Sequence, residues 1–187
     1  MKNNVLHVGW KQPPPPPFGF FKLNTNGSTR GNPSLALAGG LIRDHNGMWI
    51  GSFSRNIGFT HSMAAELWGL RDGLLLAKNL NIKKLMIETD AQTITNVLNS
   101  RSVFPDSPHP YLNIINDCES LLQCFEEARI DNIHREGNHC ANILAKGGIH
   151  STSAFYLHPH PPLVFCISLQ LTLGVSRTLD FVIFSFV

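Results

Sequence analysis

Leu23-Asn24-Thr25-Asn26-Gly27-Ser28 closes a run of strand formers that begins at Phe18, and its Asn26–Gly27 pair is a turn signal. Working outward, Leu35–Arg43 has the composition of a second strand. Asp44-His45-Asn46-Gly47 is a hairpin turn into a third, Met48–Gly58. Gly39 and Gly40 inside the second strand predict a bulge or the close approach of another backbone. A helical apolar spacing of 3.6 residues then begins. Met63, Leu67, Leu70, Leu74 and Ala77 share one face of a helix that runs from Ser62, a candidate cap, to about Leu80. Ile82–Thr89 is a short apolar strand suited to a buried position, and Asp90 opens a helix through Leu98. Tyr111–Phe125 is another amphipathic helix. Arg129–His134 and His139–Lys146 predict a last strand and a last helix, the helix stopping at Gly147–Gly148. Three meandering strands, then helix, strand, two helices, strand and helix, make an α/β fold around a mixed sheet.

The ends differ from this middle. Residues 1–17 finish in Pro13 to Pro17, read as a stiff polyproline II spacer. Residues 18–150 hold nearly all the charge and all the clear periodicity. Residues 151–187 carry only Arg177 and Asp180 as charges and end in the apolar stretches Leu163–Val175 and Phe181–Val187, a tail that reads as a late strand or helix or as an aggregation liability. The 187 residues carry a formal charge of +2, but Phe18–His150 is balanced at twelve bases and twelve acids. The surplus comes from Lys2 and Lys11, so charge alone does not argue for nucleic-acid binding. Four irregularly spaced cysteines exclude a disulfide scaffold, and no apolar run has the length of a membrane span. The N-terminus lacks the apolar centre of a secretion signal. The expectation is an intracellular protein of nucleus or cytoplasm, a monomer without membrane contact.

Four short segments carry candidate chemistry: Leu23–Ser28, Ala64-Ala65-Glu66-Leu67, Ile87-Glu88-Thr89-Asp90, and Arg135-Glu136-Gly137-Asn138-His139-Cys140-Ala141-Asn142-Ile143-Leu144-Ala145. In this order, with this intervening pattern, they resemble the ribonuclease H type 1 domain. The flanking Trp10, the proline run and the phrases AGGLIRDHNGMWIGSFSRNIG and AAELWGLRDGLLLA are similar to its plant branch, related to retroelement reverse transcriptases. The resemblance covers about residues 10–148.

The resemblance implies a ribonuclease H-like fold with a five-stranded mixed sheet flanked by helices. It also implies two Mg²⁺ (or Mn²⁺) ions that cleave the RNA strand of an RNA/DNA hybrid. Carboxylates are needed there because two divalent ions repel each other, and fixed negative charge must offset this while leaving room for water and phosphate. The family's four acids fall on Asn26, Glu66, Asp90 and Asn142, which are the implied catalytic and metal-binding positions. Two of the four are amides, so the side chains offer about −2 in place of about −4. The family's His three residues before the Arg of the last motif falls on Asn132, with His134 next to Arg135.

Hybrid binding is less affected, because the RNA strand is read through 2′-hydroxyl and minor-groove contacts. Candidates for these contacts are Asn24, Thr25, Gly27, Ser28, Asn46 and Asn138, with Arg30, Arg43, Lys83, Lys84 and Arg135 for phosphates. Taken singly, each site residue has an ordinary alternative: Asn26 a turn, Glu66 and Asn142 solvated helix positions, Asp90 a helix cap. Three functions stay open: a weakened hybrid-specific ribonuclease, an inactive module that binds RNA or hybrid, and a decayed retroelement product. Asn26 before Gly27 is also a deamidation-prone pair that could regenerate an acid.

Overall fold

The computed structural model describes residues 14–99, 110–150 and 154–162. Trp10, Pro13 and the tail's two apolar stretches lie outside the described residues. The meander forms as β1 (Phe21–Thr29), β2 (Ser34–Arg43) and β3 (Trp49–Thr60). The rest follows as α1 (Ser62–Asn79), β4 (Lys84–Thr89), α2 (Gln92–Asn99), α3 (Leu112–Leu122), β5 (Glu127–Asn132) and α4 (His139–Gly147). A sixth strand, β6 (Phe155–Leu157), corrects the expected count of five. The sheet order is β5-β4-β1-β2-β3-β6, with β1–β4 and β4–β5 parallel and the other pairs antiparallel.

Two glycines set how the helices meet the sheet. A Cβ on Gly27 would lie 2.4 Å from the Glu66 nitrogen, so only glycine lets β1 pass beneath the first turns of α1. A Cβ on Gly39 would lie 2.3 Å from the Ala145 nitrogen, which fits the close approach expected of β2 and identifies α4 as the neighbour. Asn26 pairs directly with Gly39, so Asn26 shares the α4 face while Gly27 faces α1. The Asn26–Gly27 pair therefore sits inside a strand, not at a turn; packing against two helices overrides the local turn preference.

The main core lies between the sheet and α1, α2 and α3. Leu23, Leu67, Leu70, Leu74, Leu85 and Ile87 are buried in it, each contributing about 1.5–3 kcal/mol of transfer free energy. A smaller cluster, Leu41 with Ala141 and Leu144, seats α4 on the opposite face. The tail segment is held by more than its three ladder residues. The Phe155 ring stacks on Phe53 at 5.7 Å, and the Arg55 guanidinium lies over both Phe155 and Trp68. Arg55 also bonds the buried Asp72 of α1. The Ser54 hydroxyl donates to the Leu144 carbonyl at 2.7 Å and lies 2.9 Å from His158 Nε2, which ties β3, α4 and the tail together. The end of the proline run lies on the domain instead of standing clear as a spacer. Pro16 is buried, and the Pro14 carbonyl accepts from Lys22 Nζ at 2.8 Å.

Ser62 is the first residue of α1 and not its cap; its free N–H is met by Asn32 Oδ1 at 3.0 Å. Helix α3 stops at Leu122, three residues short of the expected Phe125, and β5 begins at Glu127.

Candidate active site

Asn26 lies in β1, Glu66 in α1, Asp90 just past β4, and Asn142 in α4. The Gly27 N–H donates to Glu66 Oε2 at 2.8 Å, which places the Glu66 carboxyl beside Asn26. This contact depends on the glycine under α1 described above. Burial pushes the Glu66 carboxyl up to about 8; the Gly27 N–H opposes the shift, the Asp90 charge adds to it, and the Arg135 charge pulls it back. Asn142 is 9% exposed, on the turn of α4 after Asn138, and its Oδ1 is buried with no hydrogen-bond partner among the described residues.

Asn138 organises the centre of this group. Its amide nitrogen donates to the Thr25 carbonyl at 2.7 Å and to Asp90 Oδ1 at 2.9 Å. It thereby fastens the turn before α4 to the middle of β1 and the end of β4. Asp90 is thus not a helix cap: the Ala91 N–H at the start of α2 is met by Thr89 Oγ1 at 3.2 Å. Behind Asn138 lies a buried polar chain on the same sheet face. Lys22 pairs with Glu88 Oε1, Asn24 Nδ2 donates to Glu88 Oε2 at 2.9 Å, and Arg43 donates to Asn24 Oδ1 at 2.8 Å. Removing one partner from such a chain strands a buried charge, at a cost of about 3–5 kcal/mol.

Of the expected nucleic-acid contacts, Asn24, Thr25 and Asn138 are only 2%, 1% and 1% exposed, and both asparagine side chains are engaged inside the protein. Arg43 is also buried, whereas Gly27 and Ser28 keep partial exposure and Arg30, Asn46, Lys83 and Arg135 are exposed. Lys84 lies apart, its ammonium over the Phe20 ring. Asn132 donates to the Thr89 carbonyl at 3.2 Å, while His134 is exposed. The roles of Asn138 and of the Lys22–Glu88–Asn24–Arg43 chain were missed from the sequence. The available signal was three polar residues at alternating positions, Lys22, Asn24 and Asn26, in the first strand.

The donor set does not fit a pair of divalent ions. Among the described residues no three His, Cys, Asp or Glu side chains converge as a metal site. One oxygen of each carboxylate is already engaged, Glu66 Oε2 by Gly27 and Asp90 Oδ1 by Asn138. The other two positions supply dipoles, and the Asn26 amide is turned onto the Gly27 carbonyl at 2.9 Å. The same contacts oppose deamidation of Asn26. The Gly27 nitrogen that would attack the amide is bonded to Glu66 and fixed in a strand.

Known proteins place this arrangement. The reverse transcriptase-like family model matches residues 24–148. A protein of Arabidopsis thaliana named for ribonuclease H is 39% identical over 138 residues, which cover 74% of this chain and 21% of that protein. The chain therefore spans about a fifth of the length of that relative. The ribonuclease H1 of Halobacterium salinarum has a TM-score of 0.64 at 23% identity, covering 70% of this chain and 97% of that one. The N-terminal ribonuclease H domain of a Mycobacterium tuberculosis protein also scores 0.64, at 22% identity, covering 70% and 93%. A ribonuclease H1 named LC11, solved in complex with RNA/DNA hybrid, scores 0.62 at 21% identity, covering 69% and 96%. The chain belongs to the reverse transcriptase-like family, with the fold of a ribonuclease H type 1 domain.

Proposed function

We propose that this chain is a ribonuclease H-type module that binds RNA/DNA hybrid and whose capacity to hydrolyse the RNA strand is weakened or lost. The observation that carries the reading is the pair of amides, Asn26 and Asn142, at two of the four positions the family fills with acids. Family membership and the solved hybrid complex of a relative with the same fold support the binding half. Residues 18–150 form the hybrid-binding unit, and the segment after them adds the edge strand. Contacts to the nucleic acid fall to the accessible groups, the Gly27 backbone and the Ser28 side chain near the RNA strand and Arg135 at a phosphate. Asn24, Thr25 and Asn138 act indirectly, by holding the middle of β1 and the end of β4 in place. No helix among the described residues is long and apolar enough to cross a membrane.

The test is hydrolysis of a labelled hybrid in Mg²⁺ or Mn²⁺ by the wild type and by an Asn26→Asp, Asn142→Asp double variant. The expected result is slow or absent cleavage by the wild type and a gain of at least about 100-fold in the double variant, within the several kcal/mol that metal chemistry contributes. Equal turnover by the two proteins would overturn the claim that the amides disable the site.

A further inference from the structure

We infer that the proline run is a pre-ordered ligand, presented on the domain surface to a protein module with an aromatic-lined groove of the WW type. The inference is independent of the hybrid-binding reading. Covalent geometry fixes the shape of the run: each proline ring locks its own φ, and a residue followed by proline is turned away from the helical region. Pro14, Pro15 and Pro16 are each followed by proline, so they form a left-handed rod with three residues per turn. Pro14 and Pro17 then fall on one edge of the rod, Pro15 on a second and Pro16 on the third. Burial follows the same division. Pro16 is buried, whereas Pro14, Pro15 and Pro17 are exposed. One edge is seated in the domain and two face outward.

Both ends of the rod are fastened. The Pro14 carbonyl accepts from Lys22 Nζ at 2.8 Å. The Pro17 carbonyl accepts from the Phe20 N–H at 3.0 Å, closing a turn that uses the positive φ of Gly19, 82°. That turn presents Phe18, which is 86% exposed with its ring 4.9 Å from that of His45. A groove that takes a three-edged rod contacts two edges and leaves the third, and here the third is the edge the domain already holds. The chemistry also selects the partner. Pro14 to Pro17 have no N–H donor, and Pro14 to Phe18 carry no charge. The segment can neither extend a sheet edge nor pair with phosphate. What it offers is pyrrolidine rings and one phenyl ring, which pack against aromatic walls. Fixing the rod before docking also removes part of the entropic cost of binding it.

The experiment is a nuclear magnetic resonance titration of an isotope-labelled WW domain that takes uncharged proline ligands, with the unlabelled full chain added. The expected result is saturable shifts confined to the aromatic groove of the WW domain, with a Kd below about 1 mM. A triple variant, Pro14→Ala, Pro15→Ala, Pro17→Ala, is expected to bind at least about fivefold more weakly. Its Tm is expected to stay within about 2 °C of the wild type, because all three side chains are exposed. Absence of saturable shifts with the wild type would overturn the inference, and no variant is needed for that outcome. A folded triple variant that binds as tightly as the wild type would overturn it as well, by moving the contact to another segment such as Pro159-His160-Pro161-Pro162.

Discussion

Replacing Gly27 by alanine tests the packing that brings Glu66 to Asn26. The added Cβ would lie 2.4 Å from the Glu66 nitrogen, 2.5 Å from the Ala65 carbonyl carbon and 2.8 Å from the Glu66 Cα. All three are backbone atoms, so no side chain can swing away. Restoring ordinary contact requires the first turns of α1 to lift by about 1 Å, and overpacking of this kind costs about 1–3 kcal/mol. The lift also stretches the 2.8 Å bond from the Gly27 N–H to the protonated Glu66 carboxyl, worth about another 0.5–1.5 kcal/mol. The sum is about 1.5–4.5 kcal/mol, or a fall in Tm of about 3–18 °C for a chain of this size. Urea unfolding followed by far-ultraviolet circular dichroism measures it. Gly51→Ala is the control: its Cβ would meet Leu76 and Leu80 methyls at 3.6 Å, an ordinary contact, and it should be neutral or stabilising by about 0.5 kcal/mol. If Gly27→Ala cost no more than Gly51→Ala, the close seating of α1 on β1 would be wrong.

Two further outcomes concern pH. The Glu66 carboxyl is held at about 8 in the folded state, above its ordinary 4.5. Its contribution to stability is therefore complete below about pH 4.5 and declines as pH rises through about 8. Glu66→Gln should flatten the urea-midpoint profile over that window; parallel profiles for the two proteins would refute the assignment. Burial lowers the His158 pKa below 6.5, so its contribution is complete above that value and falls as pH drops through it toward the folded pKa. His158→Gln should remove the acid-side loss, and a histidine resonance titrating at an ordinary 6.5 in nuclear magnetic resonance would contradict it.

Most of the architecture was legible because it rests on periodicity. The strand-forming composition of β1 to β3, each with a continuous buried run, and the 3.6-residue spacing of Leu67, Leu70 and Leu74 are imposed by burial and survive in any single sequence. The failures have a common cause in tertiary contact. Asn26–Gly27 looked like a turn because nothing local reveals that α1 and α4 pass on either side of it. β6 was not identified as a strand of this sheet, because Phe155–Leu157 is too short to show a period and is held by stacking on Phe53 and Arg55, far away in the chain. At the site, motif order located Asn26, Glu66, Asp90 and Asn142. It could not show that Asn24 and Asn138 turn inward, since burial of an asparagine leaves no local mark. The missing charges were legible from residue identity alone. The burial of Lys22 and Arg43 against Glu88 and Asn24 was not, because it depends on strand register.

The short sixth strand also bears on how the domain should be handled as an isolated piece. The family match ends at residue 148, so a fragment cut there would look complete by that measure. It would, however, leave the outer edge of β3 at Phe53–Arg55 bare, with Phe53 stripped of the Phe155 ring and Arg55 of one of its two aromatic neighbours. An unpaired, partly apolar edge is a template for pairing with a second chain. A fragment ending at 148 should self-associate where one extended through Pro162 does not, and the boundary that keeps the protein in solution lies past the boundary that defines its kinship.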